Sequence, residues 1–66
     1  MREFVKKMIT ERDDLKGKIK RAERAIANPP FGADKESIDL LSKQVTAMQD
    51  YLYWLEHRIK KEGGAV

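Results

Sequence analysis

Residues 37–62 read SIDLLSKQVTAMQDYLYWLEHRIKKE, and within them Ile38, Leu41, Val45, Met48, Leu52, Leu55 and Ile59 recur in alternating steps of three and four. Such steps average about 3.5 residues, close to the 3.6 of an α-helix, so the seven side chains line one face. This is the pattern of a long helix that packs lengthwise on another helix. A second, adjacent stripe runs through Leu40, Gln44, Ala47, Tyr51, Trp54 and Arg58.

Outward from that stretch, the first half of the chain carries the matching seam. Met1, Val5, Met8, Arg12, Leu15, Ile19, Ala22 and Ile26 step in the same way, and only Arg12 interrupts the apolar run. Glu3 with Lys7 and Asp14 with Lys18 place acid before base at i,i+4, which supports a helix by a few tenths of a kcal/mol. Gly17 works against it, costing roughly 1 kcal/mol relative to alanine; it marks an irregularity, a tolerated defect or a close approach of another backbone or ligand. The helix must end near Ala27, because a residue before proline is pushed out of the α region and Pro29 and Pro30 have no amide proton. The spacing therefore predicts helices over 3–27 and 35–62, joined by a turn over 28–34, in a single domain spanning 1–66. In the turn Gly32 supplies the bend, Phe31 is expected to plug the end of the hairpin against Ile26 and Ile38, and Asp34 is placed to cap the second helix. Gly63 and Gly64 should stop that helix, with Ala65 and Val66 frayed beyond it.

A short link between two long helices makes them antiparallel neighbours. Laid against each other, the seams pair Ile26 with Ile38, Ala22 with Leu41, Ile19 with Val45, Leu15 with Met48, Met8 with Leu55 and Val5 with Ile59, every pair adding to the same total within one. The fold class is accordingly all-α, an antiparallel two-helix hairpin of coiled-coil type. Arg12 falls opposite Leu52, inside the seam, where a guanidinium needs a partner; Glu11, Asp50 and Glu56 are the candidates, and a polar seam residue of this kind can fix register. One partner helix cannot cover both stripes of the second helix. Leu40, Gln44, Ala47, Tyr51, Trp54 and Arg58 therefore predict an oligomer or partner interface, of which a two-fold helical bundle is the simplest closed form.

Composition limits the remaining choices. Sixty-six residues without a cysteine have no disulfide framework, and a single histidine leaves no zinc site. A monomer this short removes only about 60% of its unfolded surface from water, so self-association is the available source of stability. No apolar run approaches the roughly 20 residues of a membrane span, and MREFVKKM lacks a signal-peptide core, so a cytoplasmic protein is expected. Charged residues make up 38% of the chain and the net charge is +3, mostly interspersed, which describes a solvated helix surface more than a nucleic-acid footprint.

Catalysis finds no support in these residues. His57 has no acid–base relay around it, no serine or cysteine sits in a nucleophile motif, and no glycine-rich phosphate loop is present, so a non-enzyme without cofactor or metal is expected. Arg12, Lys16, Tyr51, Trp54 and Arg58 are the candidate ligand-binding residues. An aromatic ring can stack on a base while arginine holds a phosphate by two parallel bonds, so an anionic nucleotide between protomers suits them. The alternatives are a protein-interaction module docking through the aromatic stripe, and weak nucleic-acid binding through Lys16, Lys20, Arg21 and Arg24.

The arrangement FVKKM, ERDDLKGKI and LLSKQVTAMQDYLYWLEHRI resembles the small helical-hairpin proteins of bacteriophages and prophages, including the crAssphage-related group. The likeness rests on Leu40, Leu41, Gln44, Ala47, Met48, Tyr51, Leu55, Arg58 and Ile59 in the second helix and extends from Phe4 to Ile59. More loosely, that helix is similar to the hairpin of phage anti-defence sponge proteins, which oligomerise and sequester cyclic nucleotides of host immune signalling. The resemblance implies a phage accessory protein in the bacterial cytoplasm, acting by binding a cyclic nucleotide or a host protein. It transfers no binding residue to this chain.

Overall fold

In the computed structural model, which describes residues 2–64, two helices form an antiparallel hairpin: α1, Glu3–Ala27, and α2, Lys35–Lys61. The rod measures 46 × 16 × 14 Å. Helix α1 runs through Gly17 without a break, so the glycine is tolerated. Helix α2 ends one residue before the expected limit, with Glu62 as its C-cap.

The seam closes in the register that the spacing predicts. Val5, Met8, Ile19, Val45, Leu55 and Ile59 are the buried side chains, three facing pairs of the expected ladder. Leu15, Ala22, Ile26, Ile38, Leu41, Met48 and Leu52 are half-buried along the same line. Val5, Met8, Leu55 and Ile59 form one cluster, with Ile9 packed against it, at the end where the chain termini lie. The hairpin is thus tightest at its open end and looser towards the turn, because small Ala22 leaves Leu41 less to pack against. Met1, first in the predicted seam, and Ala65 and Val66, the expected frayed end, lie outside the described residues.

Both ends of α2 are built from local chemistry. The Asp34 carboxylate accepts from the Ser37 amide at 2.9 Å, satisfying one of the free donors of the first turn. That backbone bond chiefly holds the Asp34 carboxyl below its usual range, since it favours the charged form. At the far end Gly63 takes φ 88° and donates to the Lys60 carbonyl, while Gly64 donates to Ile59 at 2.9 Å. These two bonds make a Schellman cap. Gly64 lies so close to Val5 and Ile59 that it acts as a lid on the terminal cluster.

Two expectations fail locally. Phe31 does not plug the hairpin end but projects fully into solvent, at 109% relative exposure. Ala33 donates to the Pro30 carbonyl at 3.1 Å and Gly32 takes φ 88°, so Phe31 occupies the outer corner of a tight turn and points away from Ile26 and Ile38. The Glu3–Lys7 and Asp14–Lys18 pairs do not close, whereas Lys35 pairs with Asp39 at i,i+4, 3.7 Å apart. For side chains this exposed, that difference costs little.

Candidate functional site

In an antiparallel hairpin, residues one position before the seam fall on the same side of both helices. That rule puts Phe4, Lys7, Glu11, Asp14 and Lys18 of α1 beside Leu40, Gln44, Ala47, Tyr51, Trp54 and Arg58 of α2, and every one of them is exposed. The predicted second stripe is therefore a free face that nothing among the described residues covers. Its largest apolar members are Leu40 at 59%, Tyr51 at 50% and Trp54 at 64% exposure.

Two hollows divide this face. The broader, about 680 Å³, lies mid-rod between Lys7, Glu11 and Lys18 on one side and Gln44, Ala47 and Tyr51 on the other. Across it the Tyr51 hydroxyl donates to the Glu11 carboxylate. That bond, more than burial or charge, pushes the Tyr51 hydroxyl above its usual pKa, because the phenol must keep its proton to donate. Two acids, Glu11 and Asp14, offset two bases, Lys7 and Lys18, in this hollow, so it has no strong preference for an anion.

The smaller hollow, about 330 Å³, sits near the chain termini and has a different character. Phe4, Met8, Trp54, His57, Arg58, Lys61 and Glu62 line it. Trp54 stands edge-on to Tyr53 with ring centroids 4.8 Å apart, and its other neighbour is His57 at 5.7 Å. Tyr53 and His57 are in turn 4.4 Å apart, so the three rings brace one another. The Arg2 guanidinium lies 4.8 Å from the Phe4 ring and bonds Glu62 at 2.7 Å. Aromatic faces with Arg58 and Lys61 beside them are what a stacked base and its phosphate require.

Of the five candidate ligand residues, Trp54 and Arg58 are brought together here. Tyr51 lies a turn away in the mid-rod hollow, committed to Glu11. Lys16 lies on the opposite side of the rod, its ammonium 3.6 Å from Glu56. Arg12 stays in the seam, its side chain only 12% exposed, and bonds Asp13 at 2.8 Å. Phe4, His57 and Lys61 are the site residues that sequence reasoning missed. Lys61 was detectable, being one helical turn beyond Arg58; Phe4 required the hairpin register to be carried one residue off the seam.

Among the described residues no group of three or more His, Cys, Asp or Glu side chains could hold a metal ion. Nor is any helix long and apolar enough to cross a membrane. Compared with known proteins, residues 2–61 match the family described as Sequestin. No curated protein and no solved structure matches the chain.

Proposed function

The chain belongs to the Sequestin family, and on that premise we propose that it is a non-catalytic binding protein that acts by sequestering a ligand. The ligand we assign to it is an anionic, aromatic small molecule of the cyclic-nucleotide class. The observation that carries this assignment is the hollow at the chain termini, where the exposed Trp54 ring and Phe4 stand beside Arg58 and Lys61. A base would stack on Trp54 while Arg58, with five N–H donors, takes phosphate oxygens and Lys61 adds a point charge. Sequestration needs only affinity and no bond-making group, which fits a histidine braced between two aromatic rings.

The biological setting in this reading is a phage accessory protein that opposes host anti-phage defence in the bacterial cytoplasm by removing a signalling nucleotide. Self-association belongs to the same proposal, since a second copy can wall the hollow from the exposed side. The test is calorimetric titration with a panel of cyclic mono- and dinucleotides. Arg58→Ala and Trp54→Ala should each abolish the binding heat while the helical circular dichroism is retained; Lys16→Ala, on the far side of the rod, should change nothing. Unchanged affinity in both Arg58→Ala and Trp54→Ala removes this site. Retention of a host protein, lost with Trp54→Ala in the absence of any nucleotide affinity, would favour the aromatic face as a protein-docking surface instead.

A further inference from the structure

A folded monomer of 7.7 kDa exposes about 4,300 Å² by the usual size scaling, whereas this hairpin exposes 5186 Å². The excess of about 900 Å² is close to the roughly 800 Å² that each partner gives up in a standard stable interface. The free face of the rod carries the exposed Leu40, Tyr51 and Trp54, and its side chains have an order that selects one way of covering it.

We propose that the occupant is a second copy of this chain, stacked face to face and running in the opposite direction, with the two-fold axis passing beside Ala47. This rests on the self-association included above and specifies its geometry. In that register α2 sets Ala47 against the partner's Ala47, Leu40 against the partner's Trp54, Gln44 against the partner's Tyr51 and Glu36 against the partner's Arg58. A small residue sits on the axis, a large apolar one meets a large apolar one, and an acid meets a base. Helix α1 then sets Asp14 against the partner's Lys18 and Glu11 against the partner's Arg21. The centre obtained from α2, Ala47, and the centre obtained from α1, Lys16, are level with each other in the hairpin's own register. Two sets of pairings thus locate the same axis independently.

Other stackings lose this agreement. Copies running in the same direction put Phe4 against the partner's Arg58 and Lys7 against the partner's Trp54, and leave Glu11 and Asp14 facing Tyr51 and Ala47, so that no acid meets a base. Opposed copies centred between Glu11 and Asp14 oppose those two acids to each other, and Lys7 to Lys18. Like charges placed opposite one another disfavour a register even at the surface. In the favoured stacking all neighbouring helices are antiparallel, as in a four-helix bundle. The partner's Leu40 and Glu36 then wall one side of the Trp54–Arg58 hollow. A carboxylate takes two of arginine's five donors, so Arg58 keeps others for a phosphate.

The chain has no cysteine, which makes single-cysteine cross-linking direct. Ala47→Cys, Leu40→Cys and Trp54→Cys would each be oxidised mildly and run on a denaturing gel without reductant, beside sedimentation equilibrium of the unaltered chain. Ala47→Cys should become a covalent dimer nearly completely. Leu40→Cys alone should stay monomeric on the gel, since its two copies would lie about 21 Å apart along the rod, beyond disulfide reach. Mixing Leu40→Cys with Trp54→Cys should give the mixed dimer. Sedimentation as a monomer at every concentration overturns self-association itself. A dimer that cross-links through Leu40→Cys or Trp54→Cys alone, and not through Ala47→Cys, keeps self-association and overturns this register.

Discussion

Leu55 is 2% exposed and packs with Val5, Met8 and Ile59 in a buried cluster, so Leu55→Ala tests where the hairpin keeps its stability. Truncating a buried leucine removes its transfer free energy and leaves a cavity that relaxes only in part, about 2–5 kcal/mol in all. Rigid helices on both sides of Leu55 limit collapse, which places the expected loss near 3 kcal/mol. A chain of this length has roughly 3–10 kcal/mol in total, so the variant should be near the edge of folding. Leu41, half-buried opposite Ala22, supplies the internal comparison. With about half as much area removed from water, Leu41→Ala should lose about 1 kcal/mol. Urea denaturation followed by circular dichroism measures both, at one fixed protein concentration because self-association would add stability by mass action. Equal losses at the two positions, or a Leu55→Ala loss below about 1 kcal/mol, would refute a core concentrated at the chain termini.

Two glycines should respond with opposite sign. A Cβ at Gly64 would stand 2.7 Å from Ile59 Cγ2 and 3.0 Å from Val5 Cγ1, both fully buried, so Gly64→Ala should cost about 1–3 kcal/mol by denaturation. At Gly17 a Cβ meets only the mobile end of Arg21, at 3.3 Å, so Gly17→Ala should raise stability by up to about 1 kcal/mol and the melting temperature with it. Asp34 has a lowered pKa in the folded state, so its stabilising effect is present above the unfolded value near 3.8 and is lost as pH falls through the folded one. Asp34→Asn should flatten the acid limb of a melting-temperature profile below about pH 4. Tyr51 has a raised pKa, so the Glu11 bond contributes below pH 10.0 and is lost as pH rises through the folded value; Tyr51→Phe should flatten the alkaline limb.

The fold was legible because it depends on period and register, which a linear sequence records directly. The paired seams, the proline stop after Ala27, the Asp34 cap and the glycine end of α2 all follow from local rules and all recur in the structure. Phe31 was misread because hydrophobicity alone suggested burial, while the turn formed by Pro30 and Gly32 decides where its side chain points. The site was legible only along one helix. Trp54 and Arg58 are neighbours on α2 and were found together, whereas Phe4 enters from α1 through the hairpin pairing. Arg12 stays in the seam, and Lys16 lies one residue past it and so on the opposite side of the rod, beside Glu56. Charge on a helix carries no label for the side on which it acts until the partner's direction is fixed.

The central claim is sequestration without chemistry at the Trp54–Arg58 hollow. The most direct measurement is to saturate the purified chain with each of a set of cyclic nucleotides, remove unbound ligand, denature the protein and weigh what is released by mass spectrometry. The account predicts that one nucleotide class is retained in fixed stoichiometry and returns with unchanged mass, and that Arg58→Ala retains none. Retention of no nucleotide, or recovery of a hydrolysed product, would contradict it.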